Sequence, residues 1–109
     1  MLIDFCKSTE LTIPNLNGGD GCVIAKAHMD ANGKIMISRL PVGSSIGLHQ
    51  HATSSEINYV LHGVGMAVCN VEEELLTVGT CQYCPKGSSH SIINTGSDEL
   101  ILFTVVSEQ

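Results

Sequence analysis

The chain has 109 residues, of which 43% are hydrophobic, and a formal net charge of −6. This size favours one domain with one core, and the five scattered basic residues argue against a nucleic-acid or membrane-surface partner. No apolar run approaches the roughly 18 residues that a membrane helix needs, and we expect no signal peptide at the start. The odd count of five cysteines favours reduced thiols and a cytoplasmic protein.

Residues 1–21 are predicted to form an irregular N-terminal arm, and residues 22–109 a single β domain. Within that domain, short β-rich runs alternate with turn signals, and no segment has the 3.6-residue apolar period of a helix. The predicted strands are Cys22–Met29, Ile35–Leu40, Leu48–His51, Glu56–Leu61, Met66–Cys69, Glu74–Val78, Gln82–Cys84, His90–Ile93 and Leu100–Val106. Many short strands at regular spacing predict an all-β sandwich or barrel.

Two motifs stand out in this pattern. The first is Gly43-x5-His49-x-His51-x4-Glu56-x6-Gly63, and the second is Gly79-x5-Pro85-x-Gly87-x2-His90-x3-Asn94. Together they resemble the two signature motifs of the cupin superfamily at every fixed position. The resemblance covers roughly residues 35–106 and implies a single-domain double-stranded β-helix, the jelly-roll cupin barrel. Thr80 and Val71 depart from the common form of the family, but both concern turns and not ligands.

The first motif carries two histidines that point the same way. Side chains alternate faces along a strand, so His49 and His51 share one side. The cupin resemblance implies that they bind one divalent transition metal together with Glu56 and His90. Imidazole and carboxylate suit Fe, Mn, Ni or Zn, and four ligands leave two positions open on an octahedral ion. The alternative is that inward histidines are hydrogen-bonded core residues.

Further pocket candidates follow from strand parity. Asn58 and Val60 share the face of Glu56, which is also the candidate catalytic base, and Ile92 shares the face of His90. Arg39, the only arginine, is a candidate partner for a substrate carboxylate if it points inward, and an outward salt-bridged position is the alternative.

Several reactive residues lie off the ligand positions. His28 and His62 are expected to be turn or surface residues. Cys81 and Cys84 are three residues apart, so strand alternation places their thiols on opposite faces and argues against a paired redox or zinc site.

These residues support three functional hypotheses. The first is a metal-dependent enzyme of the dioxygenase, decarboxylase or isomerase type that acts on a small anionic, metal-chelating substrate. The second is a non-catalytic cupin that binds or senses a small ligand, and the third is a barrel whose metal only braces the fold. Fold alone does not decide among them. We also expect a homodimer, because the edges of the sheets need cover.

Overall fold

The computed structural model describes all 109 residues and contains ten strands. They are β1 (Leu11–Pro14), β2 (Cys22–Asp30), β3 (Gly33–Leu40), β4 (Ser45–Gln50), β5 (Ser54–His62), β6 (Gly65–Cys69), β7 (Glu72–Leu76), β8 (Cys81–Cys84), β9 (Ser89–Asn94) and β10 (Leu100–Glu108). Short 3₁₀ turns at Phe5–Lys7 and Leu16–Gly18 are the helical segments. None of them is long or apolar enough to cross a membrane.

The strands form two antiparallel sheets that face each other as a jelly-roll barrel. One sheet has six strands in the order β1-β2-β3-β10-β5-β8, and the other has four in the order β4-β9-β6-β7. The all-β jelly-roll prediction is confirmed. All nine predicted strands are present, with ends that differ by a few residues.

The N-terminal segment is more ordered than the sequence indicates. β1 pairs with β2 at the edge of the six-stranded sheet, whereas an irregular arm was predicted for residues 1–21. The turn Leu16–Gly18 then packs against β4 so closely that a side chain at Gly47 would collide with the carbonyl oxygen of Asn17. The segment therefore packs across its own barrel, and a domain boundary after residue 21 stays a prediction.

The barrel interior changes from apolar to polar along its axis. At one end, a core of nine buried residues fills the space between the sheets: Val23, Ala25, Leu40, Val60, Ala67, Leu76, Ile92, Leu100 and Leu102. Towards the other end, the inward positions become Thr104, Asn58, Glu56 and His90. Apolar side chains therefore fill one end of the interior, and the candidate ligands lie towards the other end.

Candidate metal centre

The four predicted ligands meet at the polar end of the barrel. His49 lies on β4, His51 follows β4, Glu56 lies on β5 and His90 lies on β9. Their ligand atoms all lie within 4.8 Å of one another. The three Nε2 atoms form a near-equilateral triangle, since His51 is 3.1 Å from both other rings and His49 is 3.0 Å from His90. Histidines from two distant parts of the sequence therefore direct the same atom, Nε2, towards one point.

A bulge in β4 makes this convergence possible. Ile46 pairs with Ile92 while His49 pairs with His90, so β4 has one extra residue between the two pairs. In a regular strand, the three-residue separation would put Ile46 and His49 on opposite faces, and the bulge removes this mismatch. The bulge lets Ile46 pack against the core and still turns His49 into the site.

The hydrogen bonds of the Nδ1 atoms, which lie on the side of each ring away from the cluster, determine the tautomers of His49 and His90. The Nδ1–H of His49 donates to the carbonyl oxygen of Gly47 at 2.7 Å, and that of His90 donates to the Gln82 Oε1 at 2.9 Å. The Nδ1 of His51 lies 3.1 Å from the Ser54 hydroxyl. A neutral ring that donates from Nδ1 has a lone pair on Nε2. His49 and His90 therefore direct lone pairs at each other.

This arrangement fits a bound cation. Two lone pairs 3.0 Å apart repel each other unless a positive centre lies between them, and Glu56 adds a carboxylate oxygen 2.9 Å from the Nε2 of His90. Ligand bonds of about 2.1 Å at right angles put neighbouring nitrogens about 3.0 Å apart, whereas tetrahedral angles put them about 3.4 Å apart. The observed spacing therefore matches three adjacent corners of an octahedron.

The charge states of the ligands also suit a cation. Burial alone would raise the pKa of the Glu56 carboxyl, but the close contact with the His90 ring and the hydrogen bond from Asn58 outweigh it and hold that pKa below its usual value. Burial lowers the pKa of His51, more than the nearby Glu56 charge raises it. At neutral pH the site therefore offers a carboxylate and an uncharged imidazole, which are the forms that bind metals.

A buried polar network holds Glu56 and His90 in place. Asn58 donates to Glu56 at 2.8 Å and accepts from the Thr104 hydroxyl at 2.6 Å. On the other side, Gln82 accepts from His90 and its Nε2 donates to Glu74 at 3.2 Å. Each amide thus has one orientation that satisfies all its neighbours, and this fixes the ring of His90.

A family comparison agrees with this geometry. A family model described as a cupin domain matches residues 36–106. The chain belongs to the cupin superfamily. The cupin resemblance of the two motifs is thereby confirmed.

Solved and curated cupins include close relatives of this chain. The oxalate-binding protein of Thermotoga maritima is 35% identical in an alignment 109 positions long that covers 92% of this chain and 90% of the relative. A Thermotoga maritima crystal structure described as a predicted oxalate decarboxylase has a TM-score of 0.93 and 30% identity over the full length of both chains. The cupin domain of Schizosaccharomyces pombe Cnp3 covers all of this chain and 74% of its own, with a TM-score of 0.81. At 11% identity, that likeness shows the fold alone.

The other predicted pocket residues of this cupin fall in different places. Asn58 borders the cavity beside the four ligands, as parity predicts. Val60 and Ile92 face the interior but belong to the apolar core beneath the site. Arg39 does not reach the cavity. It points outward and pairs with Glu99 at 2.6 Å and Glu10 at 3.0 Å, so the salt-bridged alternative describes it correctly.

A cavity of about 350 Å³ opens beside the ligands. Its apolar wall comes from both sheets and from the N-terminal segment, and includes Ile13, Leu16, Met36, Ile46, Leu102 and Val106. Apart from the ligands, the charged residues that line it are Lys34 and Glu108. The cavity is large enough for a small organic anion and lies on the side of the ligands that the core leaves open.

The cysteines lie outside the ligand cluster. Cys81 is exposed and Cys84 is buried, so the two thiols face apart as strand alternation predicts. Burial raises the pKa of the Cys84 thiol to about 12, with the neighbouring Cys69 thiol adding to the effect. Cys84 is therefore a protonated packing residue behind Glu56, its neighbour across the β5–β8 pair.

Sequence reasoning missed Gln82, Thr104 and Lys34. Gln82 lies directly opposite Asn58 in the sheet and shares its inward face. Strand alternation in β8 therefore predicts that the Gln82 side chain points inward. Only the pairing of the strands shows that it accepts a hydrogen bond from His90. The outward positions of His28 and His62 agree with expectation, since His28 contacts Asp30 and His62 contacts Asp98.

Proposed function

We propose that this cupin is a metal-dependent enzyme that acts on a small chelating dicarboxylate, with oxalate as the leading candidate. The main support for this proposal is the geometry of the site: three Nε2 atoms form a triangle next to the Glu56 carboxylate, and a cavity lies beside this cluster. A divalent ion held there would act as a Lewis acid for a chelating oxyanion. The octahedral spacing of the rings favours Mn, Fe or Ni, and less so Zn.

The ligand class follows from charge and from the relatives. Glu56 neutralises one of the two positive charges of a divalent ion, so the loaded site keeps about one positive charge. Such a site favours an anion that offers two oxygen atoms to adjacent coordination positions. The Thermotoga maritima relative is named for binding oxalate, which is the smallest dicarboxylate of this kind. We infer that this chain binds the same class of anion.

The residues around the cavity define what the protein itself contributes to a reaction. Ser54, Asn58 and Thr104 give the cavity a polar border. Since the Thr104 hydroxyl already donates to Asn58 and the Asn58 amide donates to Glu56, the Ser54 hydroxyl is the group that can turn to donate to a bound anion. Glu56 is the candidate base, because its lowered pKa keeps it ionised beside the reacting group. The apolar wall excludes water from the ligand, which strengthens these contacts.

The second candidate function is binding without turnover. One observation favours it. Both carboxylates at the cavity already have hydrogen-bond partners, since Glu56 accepts from Asn58 and Glu108 accepts from Thr53 at 2.9 Å. No other carboxylic acid lines the cavity to deliver a proton to a substrate carbon. Under this hypothesis the protein would hold or sense oxalate.

One experiment separates the two functions. Protein loaded with Mn(II), Fe(II), Ni(II) or Zn(II) is titrated with oxalate by calorimetry, and the same samples are assayed for release of formate and carbon dioxide and for oxygen uptake. Metal-dependent turnover supports the enzyme, and tight binding without turnover supports the sensor. His62→Ala, a change outside the site, should behave as wild type, while Glu56→Ala should lose binding. Absence of oxalate binding by every metal-loaded form would refute both candidates.

We further propose that the protein is a cytoplasmic homodimer. Five free cysteines are in keeping with a reducing compartment. The outer face of the six-stranded sheet exposes Tyr59, Leu61 and Tyr83 on adjacent strands. Such an apolar patch is typical of an interface. Sedimentation at micromolar concentration should give twice the chain mass of 11.6 kDa, and a single species at the chain mass would contradict the dimer.

A further inference from the structure

Lys34 is one of two charged residues at the cavity that are not candidate metal ligands. It lies on β3 directly opposite Val106 of β10, and Val106 lies directly opposite Glu56 of β5. Side chains opposite each other in a sheet point to the same face. Val106 is buried and Glu56 borders the cavity, so Lys34 points to the cavity as well, and it lines it.

The pairing of Lys34, Val106 and Glu56 across three strands sets the separation between the backbones at Lys34 and at Glu56. Neighbouring strands are about 4.8 Å apart, so the backbones at Lys34 and Glu56 are separated by two spacings, or about 10 Å. A lysine side chain can cover much of that gap. The ammonium group is therefore close enough to act on the site.

The charge of Lys34 has no partner in the protein. It takes part in none of the ion pairs. Glu108, the other charged group at the cavity mouth, accepts a hydrogen bond from Thr53 and is not within ion-pair distance of Lys34. The chain has six more acidic than basic residues, yet Lys34 faces the cavity without a carboxylate as its ion-pair partner. Its charge is therefore available for a ligand.

We propose that Lys34 is a specificity-determining residue that selects dianions at this centre. The inference rests on the proposed binding of a chelating anion. A chelating dicarboxylate such as oxalate would turn one oxygen of each carboxylate towards the four-ligand cluster, and its two outer oxygens, which carry the rest of its negative charge, would face the ammonium group across the cavity. A chelator of the same shape with a single charge would lack that contact. Lys34 therefore discriminates by charge, while the ligand cluster selects for chelation.

The test compares oxalate with oxamate, which has nearly the same shape and chelating atoms but one negative charge. Dissociation constants for both anions are measured on Mn(II)-loaded wild type, Lys34→Gln, Lys34→Arg and Lys26→Gln. Lys26 lies on the outer groove of the same sheet, so its substitution removes the same charge from the protein without touching the cavity.

We expect Lys34→Gln to weaken oxalate binding about tenfold, as for the loss of one charge-assisted hydrogen bond, and to leave oxamate binding almost unchanged. Lys34→Arg should retain the preference for oxalate, and Lys26→Gln should match wild type. Equal weakening for both anions in Lys34→Gln, or none for either, would overturn the role of Lys34 while leaving the proposed function intact. If wild type binds neither anion, the proposed function fails and the inference fails with it.

Discussion

Replacing Gln82 with leucine should weaken metal binding although Gln82 touches no metal. Gln82 is 3% exposed and accepts the Nδ1–H of His90 at 2.9 Å. Its Nε2 atom donates to Glu74, which prevents the amide from turning round. Leucine has nearly the same size and fills the same space, but it offers His90 no acceptor. The Nδ1–H would then be buried without a partner, and the ring would lose its fixed orientation.

The structure sets the expected magnitude. An unsatisfied buried donor costs about 1–3 kcal/mol, and loss of a hydrogen bond behind a metal ligand typically lowers affinity about 10- to 100-fold. Tenfold corresponds to about 1.4 kcal/mol, so the two ranges agree. The ligand set itself is unchanged in this variant. We therefore expect one metal ion per chain still to bind, with a dissociation constant raised by one to two orders of magnitude.

A competition titration with a metal-chelating dye measures this change directly. Cys81→Leu is the matched control, because Cys81 neighbours Gln82 on β8 but is exposed on the opposite face. It should bind metal as wild type does. If Gln82→Leu binds Mn(II) or Ni(II) as tightly as the control does, then the hydrogen bond to His90 does not position the ligand and this reasoning is wrong.

Three further predictions follow from local features. Val71 has a φ of 69° in the two-residue turn between β6 and β7, a conformation that suits glycine and strains a valine. Val71→Gly should therefore stabilise the protein by about 1 kcal/mol in urea unfolding. A loss of stability would show that valine is not strained in this turn. The lowered pKa values of His51 and Glu56 mean that the folded state binds fewer protons than the unfolded state. The metal-free protein should therefore lose stability as pH falls through 6.5 and then 4.5, the ordinary values of the two groups; a flat profile between pH 7 and 4 would count against it. Finally, a thiol reagent should label exposed Cys81 quickly and Cys84 only after unfolding, and equal rates in native protein would show that Cys84 is accessible.

The resemblance of the two motifs to the cupin signatures predicted which four side chains come together, and strand alternation explains part of that arrangement. His49 and His51 share a face because their separation is two residues, and the all-β fold follows from short strands between turn signals. These properties are local, so a single sequence contains them. The opposite faces of Cys81 and Cys84 follow from the same rule.

Properties that depend on pairing between distant strands could not be predicted. The bulge in β4 appears only when its register with β9 is known. Gln82 and Lys34 are important because of what lies opposite them in the sheet, and that is set by β5 and β10. Arg39 was ambiguous for a related reason, since its outward partners Glu10 and Glu99 are distant in the sequence.

Metal content of the purified protein tests the central claim most directly. Wild type, His51→Ala, His90→Ala and His62→Ala are prepared identically, loaded with Mn(II) or Ni(II), desalted and analysed by elemental mass spectrometry, with circular dichroism to verify folding. His62 lies outside the cluster and contacts Asp98 at the surface, so its variant controls for the loss of any imidazole. We predict close to one metal per chain for wild type and His62→Ala, and almost none for His51→Ala and His90→Ala. Equal metal content in all four folded proteins would contradict the metal centre.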